Sequence, residues 1–387
     1  MKPSDESGSS QKMALDFVRH SSIDAIVDEW DRIVSRDMPH FRSGFLRAVE
    51  RSGMMLDPAY MLVSHDGRPV AVALAYTVLL DTTMSASEKK RKFVARIRKR
   101  FKGFGWRPMR ICGSPVSNGE SGISFDSQLS AVERRAVFNR IVQEVLDAST
   151  LKETIYFKEF TDEAVAEFAS ESEEHGFFAI DPGPGTALDL KWSSWDDYLS
   201  AMKKRYRRRV RADLKAAEDL EFELFDSFAE LAPTAAALYA DVVSRAEYNM
   251  EQANEKFFAE VSDFDQAFLL VARHRSSGNM LGANLLLFGD NCMHNLYIGF
   301  DYTSNEQFHT YFSIVEHSLR LAMEKNCRIC YLGPASYEFK ARLGAVPFPL
   351  TAYMKHRLWP IHALLRSSKD KLFEKSHAPT HDVFQSG

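Results

Sequence analysis

The chain has 387 residues, and its hydrophobic fraction of 45% and charged fraction of 26% are typical of a soluble globular protein with about two domains. Four cysteines are too few for a disulfide-stabilised scaffold, and the longest apolar run, residues 70–80, is too short to span a bilayer. We expect a protein of a reducing, cytoplasmic compartment, with a polar, disordered leader at residues 1–12 and no signal peptide.

The formal net charge of −4 is unevenly distributed along the chain. Residues 88–107 contain ten Lys or Arg and one acidic residue, and residues 203–211 contain seven Lys or Arg and no acidic residue. The remainder of the chain is acidic. Two concentrated basic segments on an acidic body indicate local contact with an anionic partner better than the net charge does.

In chain order, the first half of the sequence predicts an α/β domain. Residues 59–81 have the pattern of two strands around an Asp66-Gly67 turn, which is a hairpin signal. Helices are predicted at 22–35, 42–52, 127–148 and 162–176, and further strands at 109–117 and 154–160. The first basic segment falls between two of these strands, so we interpret residues 84–107 as a basic amphipathic insert.

The second half predicts the same order of elements more clearly. A helix that begins at Ser194 with a capping-box-like sequence carries the second basic segment. Further helices are predicted at 228–247, 251–261, 306–325 and 335–347, and strands at 182–190, 267–273, 280–290, 292–301, 327–333 and 350–359. Three antiparallel strands, a helix and a strand that returns parallel to the third form a mixed sheet.

We therefore predict the α/β fold class, of the α+β mixed-sheet kind, with two related domains in tandem. Each domain is expected to be a mixed, largely antiparallel sheet flanked by helices. The predicted boundaries are 13–185 for the N-terminal domain, 186–360 for the C-terminal domain and 361–387 for an amphipathic C-terminal tail.

Three stretches of the second half carry a resemblance to a known family. They are "TALDLKWSSWDDYLSAMKKRYRRRVRADLKAAEDLEFEL", "MHNLYIGFD" and "CRICYLGPASYEFKARLGA". The last contains Glu338-Phe339-Lys340 followed by Gly344. Together they resemble the FemABX-like and BioF-like acyltransferases, which are tandem members of the GNAT superfamily. The resemblance covers roughly residues 186–355 and implies two GNAT-like domains and an enzyme that forms an amide by acyl or aminoacyl transfer.

One loop departs from the usual GNAT pattern. Typical GNAT enzymes hold the CoA pyrophosphate on a glycine-rich loop at a helix N-terminus. The corresponding loop here, "YTSNEQFHTYF" at 302–312, has no glycine. The donor therefore stays open between acyl-CoA and aminoacyl-tRNA, with no tightly bound cofactor expected. The residues that we assign to contacts with this co-substrate are Tyr302, Thr303, Phe308, His309, Thr310, Arg207 and Arg208.

Four residues are candidates for the chemistry of amide formation. The resemblance places Lys340 where its ammonium would stabilise a developing oxyanion, and Tyr337 shares its helical face as a further donor. His294 on a predicted central strand is a candidate general base, with Glu247 as the alternative. The competing interpretations are a surface lysine, a hydrogen-bonded core histidine and a solvated glutamate at a helix end.

Substrate contacts are assigned to four further residues, and no metal site is expected. The assigned residues are Tyr248, Asn284, Tyr297 and Asp301. The period of two along a strand places His294 and Tyr297 on opposite faces of the sheet. Cys327 and Cys330 form a lone C-x-x-C without a second pair, so core packing is favoured over zinc.

The insert combines an aromatic face with a cationic one. Phe93, Ile97, Phe101 and Phe104 recur at helical spacing, and Arg98 belongs to the cationic remainder. This combination is typical of a helix that lies in a membrane interface, and we predict membrane contact for these five residues. Packing on the first domain and RNA binding are the alternatives.

The leading hypothesis is an N-acyltransferase that moves an acyl group from acyl-CoA to the amine of a lipid-like acceptor, such as a sphingoid base. It would work as a peripheral protein at the inner face of the plasma membrane. The alternative is an aminoacyl-tRNA-dependent transferase that acts on a peptidoglycan precursor or another amine, in which case nucleic acid is a partner. A third hypothesis is a lipid-binding or scaffold protein without activity.

Overall fold

The structure is a computed structural model that describes residues 13–81, 88–100, 105–116, 119, 121–245, 253–373 and 377–385. It contains one sheet of eight strands and one of seven, each flanked by helices. In the described part of the chain each sheet has one parallel pair, and the other pairs are antiparallel. The predicted fold class, two mixed and largely antiparallel sheets flanked by helices, is confirmed.

The first sheet is built mainly from the first half of the chain. Its strands are β1 (Leu15–His20), β2 (Leu56–His65), β3 (Arg68–Asp81), β4 (Trp106–Cys112), β5 (Ile123–Phe125), β6 (Thr154–Phe160) and β7 (Phe178–Ile180). The accompanying helices are α1 (Val27–Ile33), α2 (Ser43–Ser52), α3 (Glu88–Arg98), α4 (Ala131–Ala148) and α5 (Asp162–Glu174). A capping box between Ser130 and Glu133 fixes the start of α4.

The second half supplies the remaining strands and helices. The strands are β8 (Gly185–Asp189), β9 (Leu220–Phe225), β10 (Ala267–His274), β11 (Met280–Phe288), β12 (Cys292–Phe300), β13 (Ile329–Tyr331), β14 (Val346–Phe348) and β15 (Thr351–His356). The helices are α6 (Trp195–Ala201), α7 (Lys204–Ala216), α8 (Ala232–Ser244), α9 (Glu255–Val261), α10 (Tyr302–Phe308), α11 (Thr310–Glu324), α12 (Tyr337–Arg342), α13 (Trp359–Ser367) and α14 (Lys369–Leu372).

One strand of the second half returns to the first sheet. β8 follows β7 in the chain but lies in the second sheet, between β13 and β14. β15 follows β14 after only Pro349 and Leu350, yet it lies in the first sheet, between β6 and β7. The sequence assigned the strand at 350–359 to the C-terminal domain, and the pairing corrects this assignment. Alternation along a strand predicts a buried face but does not determine which sheet provides the partner.

One hydrophobic core belongs to both halves of the chain. It joins Trp30, Phe45 and Tyr60 from the first half to Phe257 and Tyr297 from the second. The rings of Phe45 and Phe257 meet edge to face with centroids 5.6 Å apart. Burial of such rings is a major stabilising contribution, so the two sheets are held together by the same hydrophobic effect that stabilises each of them.

The helix predicted at 306–325 is two helices. α10 ends at Phe308, and α11 begins at Thr310. His309 between them has a backbone φ of 50°. A histidine in the left-handed region is uncommon, and it turns the chain sharply between the two helices. The apolar periodicity continues through this point, which explains why the sequence predicts a single helix.

The end of the chain returns to the second half. The Lys203 amide donates to the Val383 carbonyl at 2.8 Å, and Phe384 packs against Trp192 with ring centroids 4.4 Å apart. The same ring lies 2.4 Å from the position that a Cβ on Gly344 would take. Gly344 also has φ 90°, so this position favours glycine for two independent reasons.

No helix among the described residues is both long and apolar enough to cross a bilayer.

Because β15 lies in the first sheet, we expect the chain to unfold as one unit. Ala352 on β15 is fully buried, so Ala352→Glu buries a carboxylate and should lower the free energy of unfolding by at least ~2 kcal/mol. Urea denaturation, followed by tryptophan fluorescence and far-ultraviolet circular dichroism, measures this change. Ala179→Glu on the neighbouring β7 is the control, because Ala179 is exposed. Two separate transitions, with only one shifted by Ala352→Glu, would contradict the coupling of the sheets.

Candidate functional site

A wedge opens between two parallel strands of the second sheet. β12 and β13 pair over three positions, ending at His294 opposite Tyr331. β12 then continues to Phe300, whereas the chain after β13 turns to β8, where the Leu332 amide donates to the Thr186 carbonyl at 2.9 Å. Beyond its last pair, β12 no longer shares ladder hydrogen bonds with β13. An extended ligand can form main-chain hydrogen bonds with such a strand edge, as a neighbouring strand would.

Lys340 on α12 is a buried cation close to this wedge. Its Nζ donates to the carbonyls of Gly333 and Pro334, both at 3.0 Å, in the loop that follows β13. Burial lowers the pKa of Lys340 to about 7. The surface-lysine interpretation is therefore excluded. An ammonium has three N–H donors, so the two carbonyls leave one N–H for a further acceptor.

The loop that Lys340 holds is also tied to β8. The Thr186 hydroxyl donates to the Gly333 carbonyl at 2.6 Å, and the Tyr337 hydroxyl donates to the Pro184 carbonyl at 3.0 Å. Burial raises the pKa of Tyr337, so its hydroxyl keeps its proton at neutral pH. Tyr337 shares α12 with Lys340 as predicted, but its proton is committed to anchoring the chain ahead of β8.

His294 and Tyr297 share a face of β12, contrary to the prediction. The pairing with β11 shifts by one residue between Leu285 and Leu286, so that Leu296 forms a bulge. A bulge places two residues against one and reverses the expected alternation beyond it. His294 and Tyr297 therefore both face the first sheet.

His294 is fully buried where the two halves meet. Its ring stacks on Tyr331 with centroids 4.6 Å apart, and its Nε2 lies 3.4 Å from both the Asp37 carbonyl and the Cys292 Sγ. The His40 ring is 5.1 Å away. α12, by contrast, packs on the α11 side of the sheet through Phe339. Lys340 and His294 thus belong to opposite faces of the sheet at the wedge.

The residues assigned to substrate contact have packing or capping roles. Tyr297 belongs to an aromatic cluster with Tyr239, centroids 4.8 Å apart, and Phe257. Asn284 is fully buried, and its Nδ2 donates to Ser318 Oγ on α11 at 2.8 Å. Asp301 caps α10 by accepting the Thr303 amide at 2.8 Å. Glu247 and Tyr248 lie outside the described residues.

A buried carboxylate of the protein itself lies beside the start of α11. His309 Nδ1 lies 2.6 Å from Asp213 Oδ1, and Asp213 is buried on α7. The second oxygen of Asp213 is 3.3 Å from Arg209 Nε. Phe308 and Thr310 on either side of His309 are buried. Asp213 thus contacts the His309 ring, whereas the Tyr311 amide in the first turn of α11 donates to Asn305 Oδ1 at 2.8 Å.

The other predicted donor-binding residues lie around this corner. The Tyr302 ring lies under the Arg245 guanidinium, 3.9 Å from its centre, and Thr303 belongs to the first turn of α10. Arg207 donates to the Ser200 carbonyl at 3.2 Å and so holds the end of α6. Arg208 extends into solvent. Only Arg208 of this set offers an exposed cation to a phosphate group.

Sequence reasoning missed two buried polar residues, Glu316 and Lys158. Glu316 on α11 is fully buried, and neither carboxyl oxygen has a hydrogen-bond partner among the described residues. Burial raises its pKa well above the ordinary value, and the nearby Asp213 adds to the rise. A charged residue at an apolar position of the predicted helix was the available signal. Lys158 on β6 donates to the carbonyls of Ser114 and Pro115 at 3.0 and 3.2 Å.

Part of the insert forms the helix α3, and the membrane contact of the insert stays a prediction. Val94 is buried, whereas Phe93 is 61% exposed and Ile97 is half-buried. Arg98 makes a bidentate pair with Asp81 at 2.6 and 2.7 Å, which ties the helix to the end of β3. Phe101 and Phe104 lie outside the described residues.

Known proteins share this fold. Residues 200–341 match the acetyltransferase (GNAT) domain family. The crystal structure of FemX superposes with a TM-score of 0.59 at 12% identity, over 90% of this chain and 99% of that one. The C-terminal domain of a protein named as a lysylphosphatidylglycerol synthetase, from Agrobacterium fabrum, gives a TM-score of 0.55 at 12% identity, over 93% and 100% of the chains.

A longer protein from Mycobacterium tuberculosis is similar to this chain in sequence. A protein that carries the name 8-amino-7-oxononanoate synthase 2 is 24% identical over 329 residues, which are 82% of this chain. The match spans 42% of that protein, so the chain covers about two fifths of the length of the curated relative. Residues 200–341 thus match a GNAT acetyltransferase domain, which supports an acyltransferase, and the two-sheet fold is like that of FemX.

Proposed function

We propose that the chain is an N-acyltransferase that moves an acyl group from acyl-CoA to the amine of a lipid-like acceptor, such as a sphingoid base. It would act at the cytoplasmic face of the plasma membrane. The observation that carries the proposal is the buried Lys340 ammonium beside the wedge between β12 and β13. A donor lying along β12 would bring its thioester carbonyl toward this cation.

The reaction joins an amine to a thioester and releases a thiol. The amine nitrogen attacks the carbonyl carbon, and the C–S bond breaks when the tetrahedral intermediate collapses to the amide. The amine loses a proton, and the thiolate takes one up. In this proposal the free N–H of Lys340 donates to the oxyanion of the intermediate, where a buried cation acts more strongly than in water.

The acceptor of the amine proton stays a prediction. His294 lies at the last paired position before the wedge, on the face opposite to α12. Glu247 is the alternative and lies outside the described residues. Either residue type can act as a general base, since a histidine or a carboxylate can take the proton once the amine attacks.

A second candidate is aminoacyl transfer from tRNA, and the surroundings of α11 favour it. The buried Asp213 lies beside the helix start at which a CoA diphosphate would bind, and the loop 302–312 has no glycine. The exposed Arg208 lies in the basic segment 203–211, which suits a longer polyanion. Under this alternative the donor is an aminoacyl ester, and Lys340 keeps the same role.

We expect Lys340→Met to lower kcat for amide formation about 100- to 1,000-fold, because it removes the oxyanion donor. Steady-state assays with acyl-CoA and a long-chain amine measure this loss. Lys355→Met is the matched control, since Lys355 is also partly buried and donates to the His175 carbonyl, but on the first sheet. Thermal melting separates loss of catalysis from loss of fold. A folded Lys340→Met variant with near wild-type kcat would reduce Lys340 to a loop clamp.

The pKa of about 7 at Lys340 predicts a characteristic pH dependence. The ammonium is the active form, so activity should fall as pH rises through about 7. The acceptor amine titrates in the same way with the wild type and with Lys340→Arg, whereas the arginine itself stays protonated. The ratio of the wild-type kcat/KM to that of Lys340→Arg therefore reports the titration of Lys340 alone. We expect this ratio to be constant below pH 7 and to fall about tenfold per pH unit above it. A ratio that is flat from pH 6 to 9 would show that Lys340 does not titrate there.

The donor is identified by what the reaction releases and by its sensitivity to ribonuclease. With acyl-CoA as donor, one free thiol should appear per amide formed, as a thiol reagent detects, and ribonuclease should have no effect. The tRNA alternative predicts the reverse in both measurements. The two outcomes are exclusive, and heat-inactivated ribonuclease is the control.

A further inference from the structure

Exposed apolar side chains gather at one end of the first sheet. The end of β3 pairs with the start of β4, Asp81 opposite Trp106. The start of β4 pairs with the start of β6, and the start of β6 pairs with the end of β15 through Thr154 opposite His356. Four neighbouring strands therefore begin or end at the same side of the sheet.

Each of these strand ends carries an exposed apolar residue. Leu79 belongs to β3, Trp106 begins β4, Leu151 lies three residues before β6, and Leu358 and Trp359 follow β15. We call these five residues the apolar edge. Leu151 is 61% and Trp359 76% exposed. With strands about 4.8 Å apart, four of them span roughly 14 Å, which is a continuous strip rather than scattered residues.

The backbone and one helix hold this strip together. The Arg357 amide donates to the Glu153 carbonyl at 3.3 Å, which fixes Leu358 beside the segment that contains Leu151. Arg98 on α3 lies over the Trp106 ring, 5.0 Å from its centre, so the basic insert borders the strip.

Basic residues surround the strip. Lys99, Arg100, Arg107 and Lys152 are exposed. The carboxylates near this end are paired, Asp81 with Arg98, and Glu153 and Asp57 with Arg110. Tryptophan and leucine within a cationic border match the interface of an anionic bilayer, where indole rings sit at headgroup level and each nearby Lys or Arg adds attraction. Leucines do not stack on bases, so RNA matches the strip less well.

We propose that the apolar edge is the surface by which the protein rests on an anionic lipid bilayer. The leading contacts are Trp106, Leu151 and Trp359. The inference deepens the proposed function, because it names the surface that would bring a lipid-like acceptor to the protein. It does not depend on which donor is used.

The test is flotation with vesicles of phosphatidylcholine that contain a third phosphatidylglycerol. The full chain should float with these vesicles, and Leu151→Asp combined with Trp359→Asp should reduce the bound fraction at least tenfold. Val132→Asp is the matched control, since Val132 is 66% exposed but lies at the start of α4, toward the opposite end of the sheet. Vesicles of phosphatidylcholine alone should bind the wild type at least tenfold more weakly.

Three results would overturn the inference. They are a wild-type protein that does not float, a double variant that floats like the wild type, and a double variant whose defect is the loss of a dimer in sedimentation or of tRNA binding. Amide formation with a short, water-soluble amine, without vesicles, separates this inference from the proposed function. The double variant should keep that activity, and its melting temperature should equal that of the wild type because both positions are exposed.

Discussion

The position of β15 between β6 and β7 is the constraint on which the rest of the structure depends. The first sheet is thus completed by a strand from the second half of the chain. β8 in turn anchors the loop beneath Lys340, through the Leu332 amide and the Thr186 hydroxyl. The geometry at the wedge is therefore set by pairings that reach across the whole protein, and the shared aromatic core keeps those pairings in register.

Lys340 holds the loop that follows β13, and this role is compatible with the catalytic role that we propose for it. Two of its N–H groups bind carbonyls of its own loop, as those of Lys158 do in the first sheet, so part of its role is to fix the chain. The same bonds hold the ammonium rigidly in a buried place, which is what a pre-organised electrostatic contact requires. Lys158 likewise follows the last pair of its parallel strands, Cys112 of β4 opposite Phe157 of β6.

Much of the fold and part of the site could be predicted from the sequence. The order of helices and strands, the two related halves and the placement of Lys340 follow from periodicity and a short resemblance. Local pattern does not contain the remaining features: the sheet that receives β15, the bulge at Leu296 and the left-handed His309 depend on distant partners. The burial of Glu316 and Asp213 likewise results from the packing of α7 on α11, which no single helix pattern encodes.

The late position of β15 in the chain also affects how the first sheet forms during synthesis. A ribosome that has completed β7 has not yet synthesised the strand that fills the gap between β6 and β7. That strand ends only at His356, near the end of the chain. At roughly 5–20 residues per second, the first sheet waits on the order of ten seconds or more with an unpaired edge. For this protein, the first sheet is completed only after all seven strands of the second sheet have been synthesised.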